Sequence, residues 1–206
     1  MIIDPNQQSF KDNYKLMIGS IVPRPIAFVS TKSSDGIDNL APFSFFTGVC
    51  SNPPTIAFAP VRKGTTGEKK DTLINIRDTD VFAVNIVSES FAGEMVKTAT
   101  DYPPEISEFD ESGLTPVPCE KIDVMRVRES KVTFECQLNQ IIEIGDGGSG
   151  SGFLVLGTII LFHLDKDIFQ NGRIQLEKLQ PIGRLAGNNY VRLTDPFEII
   201  RKTDPE

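Results

Sequence analysis

The chain reads as mainly β with inserted helices, and three observations predict that class. Val132, Phe134, Cys136, Leu138, Ile142 and Ile144 fall on alternate positions, with Gln140 the one break. That is the period of a half-buried strand. Short apolar runs bounded by turn residues recur at 26–31, 55–60 and 81–87, and each reads as a further strand. The order of elements does not alternate as a doubly wound βαβ fold requires. A closed or partly closed antiparallel barrel is the natural way to remove so many strand edges.

Taken along the chain, a short helix is expected ahead of Gly19, followed by the strands IAFVST and TIAFAP. Residues 71–79 place Leu73 and Ile76 on one helical face, and Asp71 or Thr72 can cap the start. VFAVNIV at 81–87 is a strand, and residues 89–100 put Phe91, Met95 and Ala99 at helical spacing. Residues 101–112 carry Asp101, Glu105, Glu108, Asp110 and Glu111 with no Lys or Arg, plus Pro103 and Pro104. They are expected to form an exposed acidic loop. The run 153–164 is rich in β-branched and aromatic residues. It reads as a strand, although periodicity alone also admits a buried helix.

Gly145, Gly147 and Gly150 spell GxGxxG, with Asp165 20 residues after the first. A dinucleotide fingerprint needs a helix directly after the glycines. Here a strand follows, so a hairpin loop between two long strands is the better reading.

At 206 residues the chain suits one domain, 1–206. No run of about 20 apolar residues is present, and the start lacks a charged segment followed by an apolar one. A cytoplasmic protein, neither membrane-spanning nor secreted, is expected. The net charge of −7 argues against a general nucleic-acid or anionic-membrane surface. Three scattered cysteines, Cys50, Cys119 and Cys136, fit a reducing compartment and burial as small apolar residues. The lone histidine, His163, has no second His or clustered Cys to complete a zinc site, and no GxSxG elbow is present.

Three segments carry chemistry. Pro60 to Thr72 holds Arg62, Lys63, Lys69 and Lys70 with Thr65, Thr66 and Thr72, in an otherwise acidic chain. Placed before a helix start, such residues make an anion site; a solvated charged loop is the other reading. Asn39 to Phe46, NLAPFSFF, joins a polar start to a proline and three phenylalanines. Flat aromatic cofactors need such apolar walls with backbone groups aimed at their edge, and core packing uses the same residues. Gly183 to Tyr190, GRLAGNNY, pairs glycines with a polar tail that a core does not explain.

RPIAFVST at 24–31, Gly36, NLAPFSFF at 39–46, SNPP at 51–54, KDTLINI at 70–76, FAVNIV at 82–87 and GRLAGNNY at 183–190 together resemble the flavin reductase-like family. The nearest branch is that of flavoredoxins and the reductase components of two-component monooxygenases. The resemblance implies a split β-barrel, a homodimer and tightly bound FMN. By position, it places Ser30 and Thr31 near the ribityl chain or phosphate. Asn39, Leu40, Ala41 and Ser44 would border the isoalloxazine edge. Arg62, Lys70, Asp71 and Thr72 would form the phosphate end. Gly187, Asn188 and Tyr190 would close the pocket, from the same or the neighbouring subunit. The implied activity is NAD(P)H-dependent flavin reduction, with electrons passing to free flavin or a partner oxygenase. A flavoredoxin-like electron carrier and a non-catalytic FMN-binding protein are the alternatives. The bound ring would do the electron chemistry, which accounts for a sequence without an acid–base constellation.

Overall fold

A computed structural model describes residues 1–64 and 66–200. Its centre is a seven-stranded antiparallel sheet in the order β2-β1-β5-β8-β9-β4-β3. The strands are β1 (Ala27–Lys32), β2 (Asp38–Phe43), β3 (Phe46–Ser51), β4 (Pro54–Phe58), β5 (Val81–Ile86), β8 (Val132–Ile144) and β9 (Gly152–Leu164). Short pairs accompany them: β6 (Pro116–Pro118) with β7 (Met125–Val127), β10 (Phe169–Gln170) with β11 (Arg173–Ile174), and β12 (Ile182–Arg184) with β13 (Tyr190–Arg192). The helices are α1 (Phe10–Ser20), α2 (Asp71–Thr79), α3 (Ala92–Lys97), α4 (Glu108–Ser112) and α5 (Leu176–Leu179).

The period-two run of 132–144 forms β8, and its break at Gln140 coincides with a register shift between Leu138 and Gln140. The extra residue of a bulge reverses which face later side chains take, so Ile142 and Ile144 end up exposed instead of in the core. The run 152–164 pairs with β8 along its whole length, and the glycine-rich 145–151 is the hairpin loop between them.

The sheet coils. Phe43 on β2 and Phe58 on β4 sit on strands separated by four others, yet their ring centroids are 5.2 Å apart. No ladder joins the edge strands β2 and β3 among the described residues, so the sheet is curled without a hydrogen-bonded closure. The concave side encloses Val29, Phe43, Phe58, Phe82, Val84 and Val155, with Leu73 and Ile76 of α2 packed in. The opposite face buries Phe28, Leu40, Phe91, Met95, Phe109 and Val127 under α3, α4 and β6–β7.

Local chemistry explains the helix ends. Ser9 caps α1, its Oγ accepting from the Asp12 N–H at 3.2 Å while donating to the Asp12 carboxylate at 2.7 Å. α1 runs through Gly19 instead of stopping before it. α2 spans the expected residues, but Lys70 occupies the cap position and no side chain caps it. The acidic stretch also departs from expectation. Ser107 starts the short helix α4, which buries Glu108, Phe109 and Ser112. Of the cysteines, Cys136 is buried, Cys119 is half-buried and Cys50 is exposed. Among the described residues no helix is long and apolar enough to cross a membrane.

Candidate functional site

A cleft of about 860 Å³ opens between α1, the β2–β3 link and the basic segment after β4. One wall is apolar, formed by Tyr14, Met17, Ile18, Phe43 and Phe45; the other end carries Arg62, Lys63 and Lys70. α1 buries none of its residues in the core; Phe10, Tyr14, Met17 and Ile18 face the cleft instead. A smaller pocket of about 80 Å³, lined by Asn39, Ala41, Asp71, Thr72, Asp101 and Glu108, shares Pro42, Phe43 and Lys70 with the large one.

The basic end is assembled from distant segments. Arg62 Nη2 pairs with Glu143 of β8 at 2.6 Å, Nη1 donates to the Gly67 carbonyl at 3.1 Å, and the guanidinium lies 5.0 Å from the Phe153 ring centre. Its Nε is buried and has no hydrogen-bond partner among the described residues. A buried donor in that state costs free energy, so an acceptor at this end of the cleft is chemically complementary. Lys63 Nζ lies 3.6 Å from Asp71, and Lys70 Nζ 2.5 Å from Asp101. Thr65 lies outside the described residues. The glycine-rich hairpin loop reaches the same place: Gly150 lines the cleft. A Cβ on Gly150 would fall 2.7 Å from Phe10 Cδ2.

The segment 39–43 forms part of a strand despite its proline. As β2 it pairs with β1 in the register Thr31↔Asn39, Ser30↔Leu40 and Val29↔Ala41. Its outer edge is covered by Glu108, whose carboxylate accepts the Leu40 N–H at 2.8 Å and Asn39 Nδ2 at 2.9 and 3.0 Å. Covering an edge in this way removes an unpaired strand donor. Because N–H groups alternate along an antiparallel strand, Ala41 then donates toward β1, and the Pro42 position, which lacks an N–H, faces outward. Burial pushes the Glu108 carboxyl above its usual range against the opposing effect of the Leu40, Glu108 and Asn39 donors, and Asp71 adds to the rise.

The cleft brings Ser44, Arg62 and Lys70 together, and the smaller pocket holds Asn39, Ala41, Lys70, Asp71 and Thr72. Thr31 is wholly buried, its hydroxyl between Asn39 Oδ1 at 3.3 Å and Asn75 Nδ2 at 3.0 Å. Ser30 is buried too; its Oγ accepts from Asn85 Nδ2 at 3.3 Å, and it lines neither cavity. Leu40 packs in the core of the convex face. Gly187 and Asn188 are exposed on the turn between β12 and β13, with Gly187 at φ +61°. Tyr190 lies under Arg184, whose guanidinium is 4.5 Å from the ring centre.

Sequence reasoning passed over two groups that shape this site. One is Glu108; Ser107-x-x-Asp110 was a visible helix-start pattern with Phe109 as its apolar residue. The other is Arg24, which is 3% exposed and donates to the carbonyls of Ile18, Ile21 and Leu185 and to Ser44 Oγ. It ties α1, the β2–β3 link and the 185–189 turn to one point. Burial and the neighbouring Glu135 carboxylate push the Cys119 thiol up to about 12, and burial raises Cys136 as well, so neither is a ready thiolate.

The family model described as "Flavin reductase like domain" matches residues 18–178. The solved structure of nitrilotriacetate monooxygenase component B from Bacillus cereus is 42% identical, with a TM-score of 0.92 over 97% of this chain and 98% of that one. The 2-nitrobenzoate 2-nitroreductase of Pseudomonas fluorescens is 32% identical, with a TM-score of 0.87 over 100% and 98% of the two chains. An uncharacterised protein of Halalkalibacterium halodurans is 39% identical over 98% of this chain and 97% of its own. With a family model spanning most of the sheet and relatives matched end to end, the chain belongs to the flavin reductase-like family.

Proposed function

We propose that the protein is an FMN-binding, NAD(P)H-dependent flavin reductase that delivers electrons to free flavin or to a partner oxygenase. The observation that carries this reading is one cleft with an aromatic wall at one end and Arg62, Lys63 and Lys70 at the other. Its size is that of a small-molecule site. Phe43, Phe45 and Tyr14 offer flat apolar surface to a ring and exclude water from it. Arg62 and Lys70 would hold the phosphate, with Arg62 Nε as the donor still lacking an acceptor. Ser44, set by Arg24, would orient the ring from the cleft, and Asn39 and Ala41 would border it from the smaller pocket. FMN, when bound, supplies the acceptor for a hydride and the store for its electrons.

The same proposal includes a curled, split-barrel reading of the sheet, operation in the cytoplasm, and a homodimer. β3 is an edge strand exposed from Thr47 to Ser51, and an uncovered edge invites a partner. Gly187, Asn188 and Tyr190 line neither cavity in their own chain; in this reading they close the pocket of the second copy.

The absorption spectrum of the purified protein and FMN titration test the cofactor. Absence of flavin uptake at micromolar concentration would overturn the reading. Stopped-flow bleaching by NADH and NADPH tests the activity, and reduction by a protein partner alone would favour a flavoredoxin-like carrier. The likeness to a nitroreductase at 32% identity favours a second version. In it the cleft passes electrons directly to a small aromatic acceptor.

A further inference from the structure

Five polar side chains from four elements form one hydrogen-bonded chain beside the small pocket, and each proton's place in it follows from the chemistry. It begins at Glu108 on α4, 7% exposed and without a cationic partner among the described residues. A carboxylate only accepts. Asn39 therefore turns Nδ2 toward both of its oxygens, at 2.9 and 3.0 Å, and the Leu40 N–H adds a third bond at 2.8 Å. The amide so turned points Oδ1 at the hydroxyls of Thr72, 2.8 Å away, and Thr31, 3.3 Å away. Both hydroxyls must donate to it. Thr31 accepts in turn from Asn75 Nδ2 at 3.0 Å. The single hydroxyl proton of Thr72 is committed to Asn39, so its oxygen has only lone pairs left to offer.

We propose that Glu108 is a positioning residue for the flavin site. It fixes the Asn39 amide and thereby makes Thr72 Oγ1 an acceptor. The small pocket then receives a donor of the ligand, a ribityl hydroxyl or the ring imide N–H, and the phosphate is left to Arg62, Lys63 and Lys70. This rests on the proposed flavin site and deepens it, because it divides the polar residues between two ends of the ligand. Thr72 would face the ring and ribityl part even though it follows directly on Lys70 and Asp71.

The test uses Glu108→Gln and the exchange variant Asn39→Asp/Glu108→Gln. In Glu108→Gln an amide NH₂ meets either Asn39 Nδ2 or the Leu40 N–H, donor against donor. The Asn39 amide must turn, and Thr72 with it. The exchange variant restores the bond between the two side chains with donor and acceptor swapped, and keeps the bond from the Leu40 N–H. The carboxylate introduced at position 39 would accept from the introduced amide and from Thr72, while the oxygen of that amide would accept the Leu40 N–H. Glu108→Gln should raise the Kd of FMN and of riboflavin alike by about tenfold and shift the visible flavin band. The exchange variant should return both toward wild type. In the apo-protein, the Asn39 side-chain and Leu40 amide NMR signals should move in the single variant, and the Leu40 signal should return in the exchange variant.

Wild-type Kd and spectrum in Glu108→Gln, or an exchange variant no better than the single one, would overturn the proposal. If Glu108→Gln does not fold, the exchange variant decides: wild-type flavin binding supports the proposal, and weakened binding in a folded protein overturns it. A wild-type protein that takes up no flavin would overturn the flavin site itself, which is seen before any variant is made.

Discussion

Lys70 Nζ and Asp101 Oδ1 lie 2.5 Å apart at the mouth shared by the two cavities. The lysine of the candidate phosphate end thus already has an anionic partner, on a side chain that is half exposed. Exposed pairs of this kind contribute only ~0–1 kcal/mol, whereas a charge-assisted hydrogen bond to a phosphate is worth roughly 1.5–3 kcal/mol. Ligand phosphate should therefore displace Asp101. Lys70→Ala should weaken FMN binding about tenfold or more, and Asp101→Asn should tighten it a few-fold. Riboflavin, which has no phosphate, should respond to neither. Equal losses for FMN and riboflavin in Lys70→Ala, measured by fluorescence titration, would show that Lys70 does not read the phosphate.

Gly150 joins the hairpin loop to α1. It has φ +91°, and an added Cβ would fall 2.7–2.9 Å from the Phe10 ring. Gly150→Ala is strained in its backbone and also pushes the ring that lines the cleft. The expected result is a folded protein with a lower Tm and several-fold weaker FMN binding. Phe10→Ala in the same background should relieve the clash and recover part of the Tm. No recovery would place the cost in the loop backbone alone.

Glu135 gives the acid response a site. The residue is wholly buried on β8. Burial raises its pKa, but the Glu120 N–H at 2.6 Å, His163 Nε2 at 2.5 Å and the Lys121 N–H at 2.8 Å outweigh that and hold it below the usual carboxylate range. The folded state thus binds this proton more weakly than the unfolded chain does. The stability it contributes is complete above the unfolded pKa of about 4.3 and is lost as pH falls through the lower folded value. Glu135→Gln should be less stable at neutral pH by roughly 1–3 kcal/mol and lose less on acidification. Melting curves from about pH 7 to about pH 3 check this; parallel curves for both proteins would move the acid response elsewhere.

Subunit assembly is the fourth prediction. α1 buries nothing, and Val49 on the edge strand β3 is 53% exposed. Sedimentation at micromolar concentration should give a dimer for both the apo- and the FMN-loaded protein. Val49→Asp should shift it toward monomer and weaken FMN binding with it, since Asn188 and Tyr190 would then be lost from the partner. A flavin-loaded wild-type monomer would rule the dimer out.

Much of the frame was legible because local patterns report it. The alternation of 132–144, the apolar run behind it and the loop glycines between them specify the long β8–β9 hairpin without reference to the rest of the chain. Leu73 and Ile76 mark the buried face of α2 in the same way. Segment 39–43 was harder: Pro42 and the mixed polarity hid a strand, because an edge strand tolerates a proline on its outward side. The acidic stretch was read as wholly exposed because five carboxylates in twelve residues are usually solvated. Burial of Glu108 becomes tolerable only where Asn39 and Leu40, some seventy positions away, present their donors.

The sequence by itself determined the strand-rich class, the long hairpin, the basic segment before α2 and, through motifs in order, the family. These rest on short-range periodicity, turn chemistry and residue type. Tertiary structure alone decided which groups meet. It placed α1 along the cleft, set Phe10 on Gly150, seated Lys70 against Asp101, and ran one hydrogen-bonded chain from Glu108 through Asn39 to Thr72. Hydrogen-bond polarity at a site depends on which donor faces which acceptor across the fold. No local pattern carries that information, because the partners are brought together only when the sheet coils and α4 closes over its edge.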